Sequence, residues 1–111
     1  MKPMFVYITT NPQKTVLYTG VTNNLGQRLV EHYMNRGSKA SFAGKYYCYN
    51  LLHFEEFNTP TDAICREKEI KDWRRSKKEE LINTMNAGWE FLNNQILDWP
   101  PKQYDLFHRG R

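Results

Sequence analysis

The chain has 111 residues, enough for one domain with one modest core. A hydrophobic fraction of 40% with 14% aromatics excludes a disordered chain, and no run approaches the ~20 apolar residues that cross a bilayer. The net charge of +4, from 16 basic and 12 acidic residues, suits a polyanionic partner but does not by itself require one.

Met4 to Thr9 and Val16 to Val21 are rich in β-branched and aromatic residues, and Asn11-Pro12-Gln13-Lys14 between them has turn chemistry. The pair predicts a β-hairpin. Period-2 alternation places Met4, Val6 and Ile8 on one face of the first strand, and Leu17, Thr19 and Val21 on one face of the second. Tyr7 and Tyr18 fall on the opposite faces of their strands. A turn centred on Pro12-Gln13 pairs residues whose numbers sum to 25, which sets Tyr7 across from Tyr18 at a Cβ separation of ~5 Å and Gly20 across from Phe5. In that register Gly20 leaves open space beside the tyrosines.

Asn23-Asn24 can cap a helix from Leu25 to about Met34, on which Arg28 and His32 project from one face. Residues 36–47 are polar, basic and glycine-containing, and read as a mobile loop. Tyr49 to Phe57 predicts a third strand. Thr59 then caps a helix with Pro60 at its first position and Asp62 completing a capping box. This helix runs to about Ser76, and another is expected over Lys77 to Met85, stopping at Asn86-Ala87-Gly88. Trp89, Phe91 and Leu92 should pack back on the body. The organisation expected is one domain over residues 1–97 and a flexible basic tail over 98–111.

Cys48 and Cys65 are far apart and lack metal-ligand spacing, which reads as two reduced, buried thiols. Met1-Lys2-Pro3 and the short apolar run after it do not form a signal sequence. The expectation is a cytoplasmic protein with no membrane association.

Glu67 is the residue that physics alone singles out. On a helical wheel Ala63, Ile64, Ile70 and Trp73 define the apolar face, and Glu67 lies about 50° from its centre. A carboxylate there needs a cationic partner or a raised pKa. One reading is an ion pair with Lys71, Arg74 or Arg28; the other is a ligand for a hard cation that keeps several waters. Taken singly, Tyr7 and Tyr18 read as strand aromatics and Arg28 and His32 as a solvated helix face. His53 reads as a packing or edge residue of its strand, His108 as part of the tail, and the Arg74-Arg75 and Lys77-Lys78 run as a helix end able to track phosphates.

Together these residues carry a resemblance. Val6-Tyr7-Ile8, Leu17-Tyr18-Thr19-Gly20-Val21-Thr22-Asn23-Asn24-Leu25 and Arg28-Leu29-x-Glu31-His32 resemble the GIY-YIG endonuclease superfamily, in particular its small stand-alone bacterial members. Leu51 to Phe57, Ala63-Ile64-x-Arg66-Glu67-Lys68-x-Ile70 and Asn86-x-x-Trp89-x-x-Leu92 continue the match over roughly residues 4–92. Two departures stand out: Phe5-Val6 precede Tyr7 without the usual glycine, and Thr19 stands where isoleucine is usual. Neither removes a reactive group.

The resemblance implies an α+β fold, a three-stranded antiparallel sheet flanked by helices, with Tyr7, Tyr18, Arg28 and Glu67 converging on one cleft. It implies metal-dependent hydrolysis of phosphodiester bonds in DNA, with a possible place in repair or recombination. Glu67 would ligate a single Mg²⁺ or Mn²⁺, and Arg28 would hold the scissile phosphate. Tyr7 or Tyr18, its pKa lowered by the cationic surroundings, would orient or deprotonate the attacking water. His32 would contact phosphate or relay a proton. Lys39, Lys45, Arg74, Arg75, Lys77 and Lys78 can supply sequence-independent phosphate contacts, so selectivity should follow nucleic-acid structure, whether branched, nicked or single-stranded; either a protein partner supplies targeting or the isolated domain is a poor enzyme. The competing reading is a module of the same fold that binds nucleic acid without cutting.

Overall fold

The computed structural model describes residues 2–102. In chain order it has β1 (Met4–Thr10), β2 (Leu17–Thr22), α1 (Leu25–Met34), α2 (Phe42–Lys45), β3 (Asn50–Phe57), α3 (Pro60–Lys71), α4 (Arg75–Met85) and α5 (Asn93–Ile96). The strands form one antiparallel sheet in the order β2-β1-β3. The fold is the α+β arrangement expected. Being central, β1 is covered on both faces, and Val6 to Thr10 are all buried.

The two faces carry different residues of the same strand. Val6 and Ile8 pack with Leu52, Ala63, Ile70 and Ile82 beneath α3 and α4. Tyr7 packs with Leu25, Leu29 and Leu51 beneath α1, and Leu92, Ile96 and Trp99 close around them. Each cluster removes several side chains from water at about 1.5–3 kcal/mol apiece, an upper bound for bookkeeping against an extended chain.

The hairpin register differs from expectation by two residues. Tyr7 pairs with Gly20 and Thr9 with Tyr18, so opposing numbers sum to 27. The cause is a longer connection built around Asn11. Its side-chain Oδ1 accepts from the backbone amides of Thr15 and Val16 at 2.8 and 3.0 Å. Lys14 turns the chain at φ +60°. A shift of two conserves parity, so Tyr7 and Tyr18 still share a face. The space beside Gly20 is not open: a Cβ there would collide with the Tyr7 ring and hydroxyl.

Three other expectations are corrected. Residues 36–47 contain α2, capped by the Ser41 hydroxyl on the Gly44 amide at 3.1 Å, where a bare loop was expected. The helix expected to reach Ser76 stops at Lys71, and α4 starts at Arg75 after a break at Asp72–Arg74. The boundary expected after residue 97 falls within packed structure, since Trp99 sets its ring edge against Tyr33 at 5.2 Å and stacks on Tyr49 at 6.4 Å. The remainder of the expected tail, from residue 103, lies outside the described residues. Asn24 and Thr59 cap α1 and α3 as expected, accepting from Gln27 and Asp62 amides at 3.0 and 3.2 Å. Of the two thiols expected to be buried, Cys48 is buried and Cys65, on α3, is exposed. Among the described residues no helix is long and apolar enough to cross a membrane.

Candidate active site

Strand β1 delivers Tyr7 to the α1 side of the sheet, β2 delivers Tyr18 to the same side, and α1 lowers Arg28 and His32 onto them. The i, i+4 spacing puts the two helix residues one turn apart, above the tyrosine pair. Their rings meet closely: Tyr7 to Tyr18 centroids are 6.3 Å apart, Tyr7 to His32 5.7 Å and Tyr18 to His32 5.4 Å. Gly20 makes this possible, because its missing side chain is where the Tyr7 ring lies.

Hydrogen bonds join the group into a chain. Arg28 Nε donates to the Tyr7 hydroxyl oxygen at 3.3 Å, and the hydroxyl lies 2.8 Å from His32 Nε2. Burial, reinforced by the Arg28 charge, lowers the His32 pKa to about 4, so the imidazole is neutral at pH 7. With Arg28 donating to it, the Tyr7 hydroxyl donates its own proton to His32 Nε2, which puts the imidazole proton on Nδ1. Burial pushes the Tyr7 phenol well above the ordinary tyrosine range, with Tyr18 adding to the rise and Arg28 opposing it. This runs against the lowered tyrosine pKa expected, as far as Tyr7 is concerned. Two partners fix the orientation of this buried phenol.

Arg28 is the member that reaches outward. Its Nη1 donates to Glu31 at 3.1 Å, and its side chain is 37% exposed. Burial acts against the guanidinium's charge, but the Tyr7 oxygen and Glu31 more than offset it, and the group is held firmly protonated. Its Nη2 makes no hydrogen bond among the described residues. Glu31 was visible in the motif but had no assigned role; its position three residues from Arg28 was the signal for it.

Glu67 is not a member of this hydrogen-bonded group. It belongs to α3, which packs against the other face of the sheet. Its carboxylate pairs with Lys71 Nζ at 2.9 Å, one of the ion pairs weighed from the helical wheel. No hydrogen bond or ion pair links it to Tyr7, Tyr18, Arg28 or His32 among the described residues. At 100° per residue, Arg66 and Glu67 flank the buried Ala63–Ile70 ridge on opposite sides. Arg66 reaches Glu55 on β3 at 2.9 Å, so Glu67 is directed toward the β2 edge.

The basic residues divide as well. Lys39 and Arg74 are exposed, and their side chains make no hydrogen bond or ion pair among the described residues. Lys45 lies 5.3 Å from the Tyr46 ring centroid and Lys77 4.4 Å from that of Trp73. Lys78 is half-buried. Arg75 is committed elsewhere: it pairs with Glu79 at 2.9 Å and donates to the Thr15 carbonyl, tying α4 to the hairpin turn.

A sheet in this order, with two tyrosines beneath an arginine and a histidine one helical turn apart, defines a nuclease-type domain. A family model described as the GIY-YIG catalytic domain matches residues 3–80. A UPF0213 protein of Haloquadratum walsbyi is 39% identical over 77 residues, 69% of this chain and 83% of that protein. One from Clostridium perfringens is 34% identical over 92 residues, 83% of this chain and 96% of that protein. The solution NMR structure of a UPF0213 protein from Bacillus halodurans covers 86% of this chain and 99% of its own, at 25% identity and a TM-score of 0.51. The chain belongs to the GIY-YIG family, and nucleic acid is the substrate class that its domain implies.

Proposed function

We propose that the protein is a divalent-metal-dependent endonuclease that hydrolyses phosphodiester bonds in DNA, selecting nucleic-acid structure over sequence. The observation that carries this reading is the Arg28–Tyr7–His32 hydrogen-bonded chain, which holds a partly exposed guanidinium whose Nη2 has no hydrogen bond among the described residues. Arg28 binds the scissile phosphate and stabilises the charge developing on its oxygens. Tyr7 and His32 are positioning residues that fix the guanidinium. Tyr18, half-buried at the same cluster, is the tyrosine able to meet the attacking water.

The metal assignment rests on Glu67. Among the described residues no three His, Cys, Asp or Glu side chains form a cage, which suits an ion that keeps most of its waters. The Lys71 ammonium on Glu67 marks a position where a cation is favourable, and Lys71 is exposed enough to swing aside. Thr19, on the β2 face turned toward α3, has a buried hydroxyl without a hydrogen-bond partner. These hard oxygen donors fit Mg²⁺ or Mn²⁺. Bound there, the ion would supply charge neutralisation at a phosphoryl oxygen. Lys39, Lys45, Arg74 and Lys77 would hold the backbone of either strand, in a cytoplasmic setting and with a partner protein supplying targeting. A role in DNA repair or recombination is in keeping with such selectivity.

The test is cleavage of nicked, branched and single-stranded DNA with Mg²⁺ or Mn²⁺ by the wild type, Arg28→Ala and Glu67→Ala. Metal-dependent cleavage by the wild type, lost in both variants, is expected. Binding without cleavage, unaffected by either substitution, would leave the non-cutting module as the better description.

A further inference from the structure

Between α1 and β3 the chain exposes three aromatic rings within six residues: Phe42 is 51% exposed, Tyr46 38% and Tyr47 48%. Such a group in contact with water marks a surface that something covers. The rings are continuous with the candidate site. Phe42 stacks on Tyr18 with centroids 6.2 Å apart and planes 24° from parallel, and Tyr46 follows Phe42 at 4.7 Å. A ladder therefore runs from the reacting cluster to open surface, in the order Tyr18, Phe42, Tyr46.

Two further features belong to the same place. A groove of about 360 Å³ opens beside the ladder, lined by Pro12, Gln13, Lys45, Tyr46 and Tyr47. That is the low end of volumes that take a small ligand. Tyr47 sits at φ +59°, a costly conformation for a bulky residue, and its hydroxyl lies against Gly37, itself at φ +86°. The fold thus keeps a strained tyrosine at the groove wall. Charge is one-sided: from His32 to Phe54 there is no acidic residue, while Arg36, Lys39 and Lys45 are basic.

We propose that this face is a stacking platform for an unpaired stretch of nucleic acid. Bases of a single strand stack on Phe42 and Tyr46, one base enters the groove beside Tyr47, and Lys45 and Lys39 take the adjoining phosphates. The chemistry is that of single-strand binding, in which aromatic rings grip base faces and cations follow the backbone. A duplex hides those faces within its own stack, so the platform discriminates against it. The inference rests on the nuclease reading only for its direction, since the ladder ends on Tyr18 and delivers the strand to Arg28.

The experiment is binding of the full chain, in EDTA, to labelled single-stranded DNA and RNA of one sequence and to the matching DNA duplex, read by fluorescence anisotropy. Phe42→Leu and Tyr46→Leu keep apolar bulk but remove the π face; Phe42→Trp restores it. Each leucine variant should bind single strands roughly tenfold more weakly and leave duplex binding unaltered, while Phe42→Trp should bind single strands as the wild type does. Unchanged single-strand affinity, or equal loss for single strand and duplex, overturns the platform. The DNA and RNA arms identify the sugar preferred. Selective loss of single-strand binding, in a protein whose wild type cuts nothing with metal present, supports the platform and removes the nuclease reading; cleavage with binding intact in both leucine variants does the reverse.

Discussion

The molecule contains two networks of arginine, histidine and carboxylate, one on each face of the sheet, and they are built for opposite ends. On the α3 side, Arg66 grips Glu55 with Nε at 2.9 Å and Nη2 at 3.2 Å and gives Nη1 to Glu69; Glu55 also holds His53 at 2.8 Å. Every nitrogen of that guanidinium is occupied, and its plane lies 5.1 Å from the Trp73 ring. On the α1 side, Arg28 has one carboxylate and one phenol, and keeps a nitrogen unengaged among the described residues. A saturated guanidinium fastens a helix to a strand, whereas an unsaturated one, fixed by a single carboxylate and a neutral phenol, can bind an anion.

The largest effect expected from this contrast is on chemistry. Arg28→Ala should lower the rate of DNA cleavage about 10²–10³-fold, the cost of losing one preorganised charge at the reacting phosphate. It should move stability by less than about 1 kcal/mol, since the pair with Glu31 is partly exposed. Cleavage kinetics set beside urea unfolding of the same preparation measures both. A large loss of stability with cleavage preserved would reverse the roles given to the two arginines.

The next effect is on pH dependence. His32 is held neutral, its pKa depressed to about 4 from an ordinary 6.5. Between those values the unfolded chain binds a proton that the folded protein does not. Stability is therefore full above about pH 6.5, falls as pH drops toward about 4, and loses nothing more from this group below that. The 2.5-unit difference between 6.5 and 4 bounds the loss at about 3 kcal/mol. His32→Gln keeps an acceptor for the Tyr7 hydroxyl but has no proton to gain. Wild-type and variant unfolding free energies, measured by urea at intervals from pH 7 to pH 4, should diverge across that window alone. Parallel curves would mean that His32 is not buried neutral.

Gly20→Ala comes next, at about 1–3 kcal/mol of stability. The added methyl meets the Tyr7 ring, which cannot retreat because His32 and Arg28 hold its hydroxyl. Since Tyr7 positions Arg28, cleavage should fall along with the melting temperature. Thermal melts and cleavage assays on the alanine variant check this, and an unaffected variant would show that the tyrosine moves freely.

That glycine marks how far the site could be read from the sequence. The residue types of the α1 cluster were legible, because β parity and helical i, i+4 spacing survive errors of register. Tyr7 and Tyr18 share a face for any shift by two, and Arg28 and His32 share one wherever α1 begins. Their pairing was not legible. It depends on the Asn11 side chain lengthening the turn, a set of hydrogen bonds that propensity does not encode. α2 was hidden for a similar reason: it spans only Phe42–Lys45 and is held by its Ser41 cap, too short for periodicity to reveal. On the other face the wheel drew attention to Glu67 but could not tell its partner, since Lys71, Arg74 and Arg28 were all within reach of a flexible side chain. Asn86 and Asn93 were missed as buried polar anchors. Asn93 accepts from the Leu51 amide at 2.7 Å and donates to the Tyr49 carbonyl at 2.9 Å, finishing the outer side of β3 that no strand covers.

The smallest effect falls on the structural network and isolates it. Burial opposes the Glu55 charge, but Arg66 and His53 outweigh burial and hold the carboxyl below its ordinary 4.5. The stability this contributes is present above about pH 4.5 and fades as pH falls below it, a window lying beneath most of that of His32. Arg66→Ala removes the main partner and leaves the half-buried carboxylate with His53 alone. Both partners are partly exposed, 26% for Arg66 and 21% for Glu55, so solvent screening holds the cost to about 1–2 kcal/mol near neutral pH. The variant's deficit should shrink toward acid, as the wild type loses the same interaction by protonation. Cleavage at pH 7 should stay within about twofold of wild type, because no nitrogen of Arg66 is available to a phosphate. Arg66→Ala losing as much cleavage as Arg28→Ala, with its stability intact, would show that saturation by carboxylates does not separate the structural arginine from the anion-binding one.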